Sequence, residues 1–246
     1  MDLSAWQWTW LAAGAFLVGL SKTGMPGLGV LTVACFAYAM PARASTGALL
    51  PLLLCADVFS VAFFRKHADW SHLGKLLPWV FLGILAGFLA MGRINDQQVR
   101  KLMGLIILAL LAVNLWMRLN PETLSSQLPH SIWFVGLIGM LAGFSTMVAN
   151  AAGPVMVLYF LAVGLPKLAF IGTSAWFFML VNTSKVPFSA LLGLITPGSL
   201  QLDALLLLPM IPGALLGPIL LRHINQKTFE NIALVLALFA TIKLLI

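Results

Sequence analysis

Ser21-Lys22-Thr23-Gly24-Met25-Pro26-Gly27-Leu28-Gly29 breaks an apolar stretch that runs from Trp6 to Leu20 on one side and from Val30 to Met40 on the other. As one continuous helix these residues, about 35 of them, would extend about 52 Å, against a hydrocarbon core of about 30 Å. Each half alone reaches about 20 Å, too short to cross. A re-entrant hairpin, or two strongly tilted half-helices, meeting near the bilayer midplane around Ser21 to Gly29 fits both lengths. Irregular backbone at that depth is tolerated only where protein or a water-filled cavity covers it. The second half of the chain carries the same device: Ile132 to Phe144, then Ser145-Thr146-Met147-Val148-Ala149-Asn150-Ala151-Ala152-Gly153-Pro154, then Val155 to Val163.

The composition agrees with a chain that lies mostly in lipid. Of 246 residues 61% are hydrophobic and 9% charged, and the mean hydropathy is +1.02. A soluble domain carries about 25% charge, so this chain cannot clothe a core in a water-facing surface, and a soluble enzyme is excluded. Lys plus Arg number 14 against 7 Asp plus Glu. In a membrane protein that excess reflects basic cytoplasmic loops, so no nucleic-acid partner is expected. Six plain spans of about 20 residues follow the two interrupted stretches, three after each. They are Ala44 to Phe64, Leu73 to Met91 and Val99 to Trp116, then Leu168 to Leu192, Leu202 to Leu221 and Phe229 to Ile246. The opening Met1-Asp2-Leu3-Ser4 lacks the basic run of a secretory signal, so Trp6 to Leu20 is expected to remain in the mature protein. A multi-pass protein of the cell (inner) membrane is expected, with the lipid bilayer as a partner and a homodimer left open.

The two halves align. Gly19, Ser21 and Gly29 fall on Gly143, Ser145 and Gly153, all 124 positions later, and Arg43 falls on Lys167 at the same shift. Asp57 falls on Asn182 at 125, and Gly83, Gly87 and Ile94-Asn95 fall on Gly213, Gly217 and Ile224-Asn225 at 130. The expected organisation is a first membrane repeat at 1–118, a linker at 119–130 and a second repeat at 131–246. The fold class is all-α and polytopic, each repeat being an interrupted hairpin plus three transmembrane helices. A hairpin plus three spans puts the ends of each repeat on opposite faces, so the second copy is inverted, as in many secondary transporters. A parallel repeat of four spans is the competing reading.

Lys22, Asp57 and Lys185 are the charged residues placed away from membrane boundaries and loops. An ionisable group at that depth costs several kcal/mol and normally faces a cavity or a partner. Helical spacing puts Thr46, Leu50, Leu53, Asp57 and Ser60 on one face, and Ser174, Phe178, Asn182, Lys185 and Ser189 on another. An ion pair of Asp57 with either lysine could serve packing alone. One lysine is then left without a carboxylate, which points to an anionic ligand; snorkelling of Lys185 to the interface is the alternative. The breaks add helix N-termini, whose free N–H groups attract anions. Gly24, Gly27, Gly29 and Gly153 are read as site glycines, with Ser21, Thr23, Ser145, Thr146, Asn150 and Asn182 as hydrogen-bond donors. Gly83, Gly87, Gly213 and Gly217 are read as packing glycines. Neither metal nor cofactor is expected: His67, His72, His130 and His223 show no ligand spacing, and no nucleotide or serine-hydrolase motif occurs.

The run Gly19-Leu20-Ser21-Lys22-Thr23-Gly24-Met25-Pro26-Gly27, its counterpart in the second half and the length of the chain resemble the sulfite exporter TauE/SafE family, also called toluene sulfonate uptake permeases. Many members have a more glycine-rich run where this chain has Ser21-Lys22-Thr23, which resembles a lysine-bearing subset. The resemblance implies a multi-pass carrier of sulfur-containing anions. The expected function is secondary transport of a small sulfur-containing oxyanion by alternating access, with Asp57 as the proton-coupling group. An anion channel or a carboxylate transporter stands as the alternative, and an intramembrane scaffold or enzyme is less favoured.

Overall fold

The computed structural model describes residues 3–24, 28–99 and 131–223, with isolated helical positions between 101 and 116. Among the described residues every regular element is helical. They are α1 (Ala5–Thr23), α2 (Gly29–Ala39), α3 (Ala42–Phe64), a 3-10 turn (Arg65–His67) and α4 (Trp70–Met91), then α5 (Ile132–Ala149), α6 (Ala152–Ala162), α7 (Lys167–Leu191) and α8 (Pro197–His223). The segments 42–67, 70–91, 132–149 and 197–220 are long and apolar enough to cross a membrane. Four of the six expected plain spans fall on the helices α3, α4, α7 and α8; α3, α4 and α8 are among the membrane-length segments, and so is α5, which the sequence reads as half of an interrupted stretch too short to cross. The span at Val99 to Trp116 is described only in part. Phe229 to Ile246, Ile224-Asn225, the linker 119–130 and Gly27 lie outside the described residues.

α1 and α2 pack antiparallel, so that the start of α1 meets the end of α2. Gln7 Nε2 donates to the Ala39 carbonyl at 2.8 Å, and Gly14 lies against Cys35 and Phe36. In the second half, Phe134 at the start of α5 stacks on Tyr159 near the end of α6, with ring centroids 6.5 Å apart. Both helices entering the breaks are longer than the sequence suggests: α1 continues through Ser21, Lys22 and Thr23, and α5 through Ser145 to Ala149. The hydroxyls explain this, because they bond back to their own helix instead of opening it. Ser21 Oγ donates to the Val18 carbonyl at 3.0 Å, Thr23 Oγ1 to Gly19 at 3.1 Å and Ser145 Oγ to Ala142 at 3.2 Å. α5 stops where Asn150 adopts the left-handed conformation, φ 50°, a cap that asparagine tolerates. α7 continues through Pro187 without interruption.

Lipid is as apolar as leucine, so helices in a bilayer are held by close packing at small residues. A Cβ on Gly19 would strike the backbone of Met210 and Ala214, and one on Gly143 would strike the backbone of Val80 and Ile84. Gly83 lies equally tightly on Met140 and Phe144, and Gly213 on Phe16 and Leu20. Met210 and Ala214 occupy the positions that Val80 and Ile84 occupy 130 residues earlier. α1 is therefore clamped to α8, and α5 to α4, each to the fourth helix of the other half. α3 and α7 cross antiparallel between them: Gly47 sits on Leu194, Asp57 meets Asn182, and Gly172 sits on the backbone at His67 and Ala68.

The outer surface is apolar, with Phe81, Leu82, Leu85 and Leu89 of α4 and Leu205, Leu208 and Leu216 of α8 exposed. Trp6, Trp70 and Trp133 stand exposed at the starts of α1, α4 and α5, where an interfacial belt belongs.

Candidate functional site

The two hairpin tips and the α3/α7 crossing enclose one cavity of about 60 Å³, room for about four to six water molecules. Its polar lining is Ser21, Lys22, Asp57, Ser60, Thr146, Asn150, Ser174 and Asn182. Apolar side chains are interleaved with them, among them Leu53, Met156, Val157, Phe170, Ile171 and Phe178. Gly29 and Gly153, at the starts of α2 and α6, also line it, and a Cβ on either would meet nothing within 4 Å. The N-terminal ends of both short helices thus open on the cavity, a favourable place for negative charge.

Lys22 sits in the last turn of α1, where a cation complements the helix dipole. Its Nζ lies 2.7 Å from Asp57 Oδ1 and 3.9 Å from the centroid of the Phe178 ring. Asn182 Nδ2 donates to the other carboxylate oxygen at 2.6 Å. Asp57, with no exposed surface, is therefore held on both oxygens. Ser60 Oγ donates to the Lys22 carbonyl at 2.7 Å, fixing the tip of α1 against α3.

Lys185 is also fully buried. Its ammonium turns inward, donating to Thr146 Oγ1 at 3.1 Å, to Asn150 Oδ1 and to Asn182 Oδ1 at 3.4 Å. Snorkelling to the interface is thus not its role. Among the described residues these acceptors are all neutral. Lys185 stands one layer behind the cavity wall, and the three residues it touches all line the cavity. Because Thr146 Oγ1 accepts from Lys185, its hydroxyl proton is free to point elsewhere. Asn150 Nδ2 is committed to the Thr46 carbonyl at 2.9 Å, tying the second tip to α3.

The predicted residues divide accordingly. Ser21, Lys22, Gly24, Gly29, Asp57, Thr146, Asn150, Gly153 and Asn182 line the cavity, and Lys185 braces it. Thr23 and Ser145 do not line it. Thr23 Oγ1 instead donates to the Ala214 carbonyl at 2.8 Å, locking α1 to α8, and Ser145 bonds within α5. Gly24 has a packing reason as well, since its Cβ would strike the Gly217 backbone.

Asp203 is a buried carboxyl that the sequence reading overlooked. A span starting at Leu202 leaves it at the membrane edge, whereas α8 begins at Pro197. The available signal was Thr196-Pro197-Gly198-Ser199. Thr196 and Ser199 cap one another reciprocally, at 2.9 and 3.1 Å, ahead of a proline in the first helical position. Asp203 is 5% exposed, and neither carboxyl oxygen has a hydrogen-bond partner among the described residues.

No curated protein and no solved structure matches the chain. The family model for sulfite exporter TauE/SafE matches residues 11–244, nearly its whole length. With apolar membrane-length helices around a buried, charged cavity, the chain belongs to the sulfite exporter TauE/SafE family of multi-pass membrane transporters.

Proposed function

We propose that this protein is a secondary carrier of a small sulfur-containing anion, sulfite or a similar oxyanion, working by alternating access in the cell (inner) membrane and coupled to protons. The observation that carries the reading is Lys185, fully buried, bonded to neutral groups and set directly behind a small cavity. A buried cation without a counter-ion is expensive. An anion in the cavity supplies the missing charge, with the Thr146 hydroxyl and the amino ends of α2 and α6 as donors.

An inverted repeat, with halves 1–118 and 131–246, is supported by the antiparallel crossing of α3 and α7 and by the matched glycine contacts at Gly19 and Gly143. In that architecture the site lies between the repeats and the halves rock about it. Asp57 is the proposed proton carrier. Ionised, it holds Lys22 in an ion pair and closes the tip of α1 on α3; protonated, it releases Lys22 toward the substrate. Ser21, Gly24, Gly29, Asn150, Gly153 and Asn182 shape the site, while Thr23 and Ser145 act through packing.

Sulfite flux into proteoliposomes tests the assignment. Flux should depend on the purified protein and fall to background in Lys185→Ala. Transport that survives both Lys22→Ala and Lys185→Ala would sink it.

A further inference from the structure

We propose that, while Asp57 is ionised, the site selects by charge count, taking a singly charged anion in preference to a doubly charged one of the same size, and that Asp57 sets this preference. The inference rests on the carrier reading above and specifies the class of its substrate.

The formal charges around the cavity are few. Lys22 and Asp57 lie 2.7 Å apart and cancel. Lys185 has no carboxylate among its hydrogen-bond partners. Asp203, the other buried carboxyl among the described residues, lines no part of the cavity. The described residues on and directly behind the wall therefore sum to one uncompensated positive charge. In a buried site an unbalanced charge of either sign is costly. One negative charge on the ligand balances the sum; two leave an excess of negative charge inside protein.

Positions 57 and 182 show where the count is set. They correspond in the two halves, meet each other at 2.6 Å, and carry side chains of nearly identical shape, one charged and one neutral. Asp57→Asn would raise the sum to two positive charges with little change of volume. Asn182→Asp would lower it to zero by placing a carboxylate beside Lys185. The double exchange restores the native sum with the charge moved to the other half.

Methanesulfonate and sulfate are tetrahedral anions of similar size with one and two charges, so they isolate the variable. Binding of each to the purified protein is measured by calorimetry, with thermal melting as the check on folding. The native protein should favour methanesulfonate by about a hundredfold, the scale set by one unit charge a few ångströms away at protein dielectric. Asp57→Asn should reverse the order, Asn182→Asp should weaken both anions, and the double variant should recover the native order. Equal or tighter binding of sulfate by the native protein overturns the charge count, as does an unchanged order in folded Asp57→Asn. Should Asp57→Asn fail to fold, the double variant decides: recovery supports the count and a folded protein without recovery refutes it. Binding of neither anion by the native protein refutes the carrier reading itself, whereas binding of both without charge preference refutes this inference alone.

Discussion

Replacing Lys185 by methionine should cost about a hundredfold in anion affinity while leaving the protein folded. An anion that accepts the Thr146 hydroxyl lies about 2.7 Å from Oγ1, and Lys185 Nζ lies 3.1 Å behind that atom. The two charges are then about 5.5 Å apart, and at an effective dielectric of about 20 they attract by about 3 kcal/mol. That energy corresponds to about two decades in dissociation constant. Folding should survive because two effects oppose: three neutral acceptors lose their donor, but a buried cation is no longer desolvated. Lys22→Met behaves differently. It strands Asp57 without its counter-ion in a buried site, at a cost of about 3–5 kcal/mol, so this variant should lose stability before binding can be read. The assay is sulfite titration of the detergent-purified variants by calorimetry, alongside thermal melts. A folded Lys185→Met protein with undiminished sulfite affinity would refute the reasoning.

Three further outcomes follow from the geometry. Gly19→Ala and Gly143→Ala should each destabilise by about 1–3 kcal/mol in thermal melts, because a methyl there meets backbone that cannot retreat. Gly29→Ala and Gly153→Ala should keep the native melting temperature or raise it, yet weaken anion binding. Their methyl groups enter open cavity space, and alanine suits a helix better than glycine. Asp69, just outside the membrane at the start of α4, accepts hydrogen bonds from Ser71, at 2.6 Å from its hydroxyl and 3.0 Å from its backbone N–H. The side-chain bond is the main reason its carboxyl titrates below the usual carboxylate range. Its capping contribution is therefore full above the unfolded-state value and lost as pH falls through the lowered folded value. Asp69→Ala should cost about 1 kcal/mol near neutral pH, and the difference from native should vanish in acid melts.

Much of the site was legible because charge in a membrane is conspicuous. Lys22, Asp57 and Lys185 stood out against a 9% charged background, and the equivalence of Asp57 with Asn182 followed from a shift of 125. The interrupted stretches were legible from glycine, proline and small polar residues in apolar runs, but the lengths of their first halves were not: α1 runs to 19 and α5 to 18 residues, and 132–149 is long enough to cross a membrane. Other features needed coordinates. Asp57 had two candidate lysines, and only the seating of the α1 tip on α3 assigns it Lys22, while Lys185 turns onto Thr146. The extent of the breaks was overestimated because Ser and Thr in an apolar run look like helix breakers, whereas here they bond back to the preceding turn. Gly24 stands close to Lys22 and Pro26 in sequence, whereas its tight approach to Gly217 depends on a helix nearly 200 residues away. Asp203 was missed through an error of a few residues in one helix start.

Coupling of an anion to a proton by the buried charges is read from sulfite accumulation in proteoliposomes under an imposed pH gradient. Accumulation beyond equilibrium is expected, abolished by collapsing the gradient, and in Asp57→Asn reduced to downhill flux. Sulfite that merely equilibrates in the native protein, with or without the gradient, would contradict it and identify a channel.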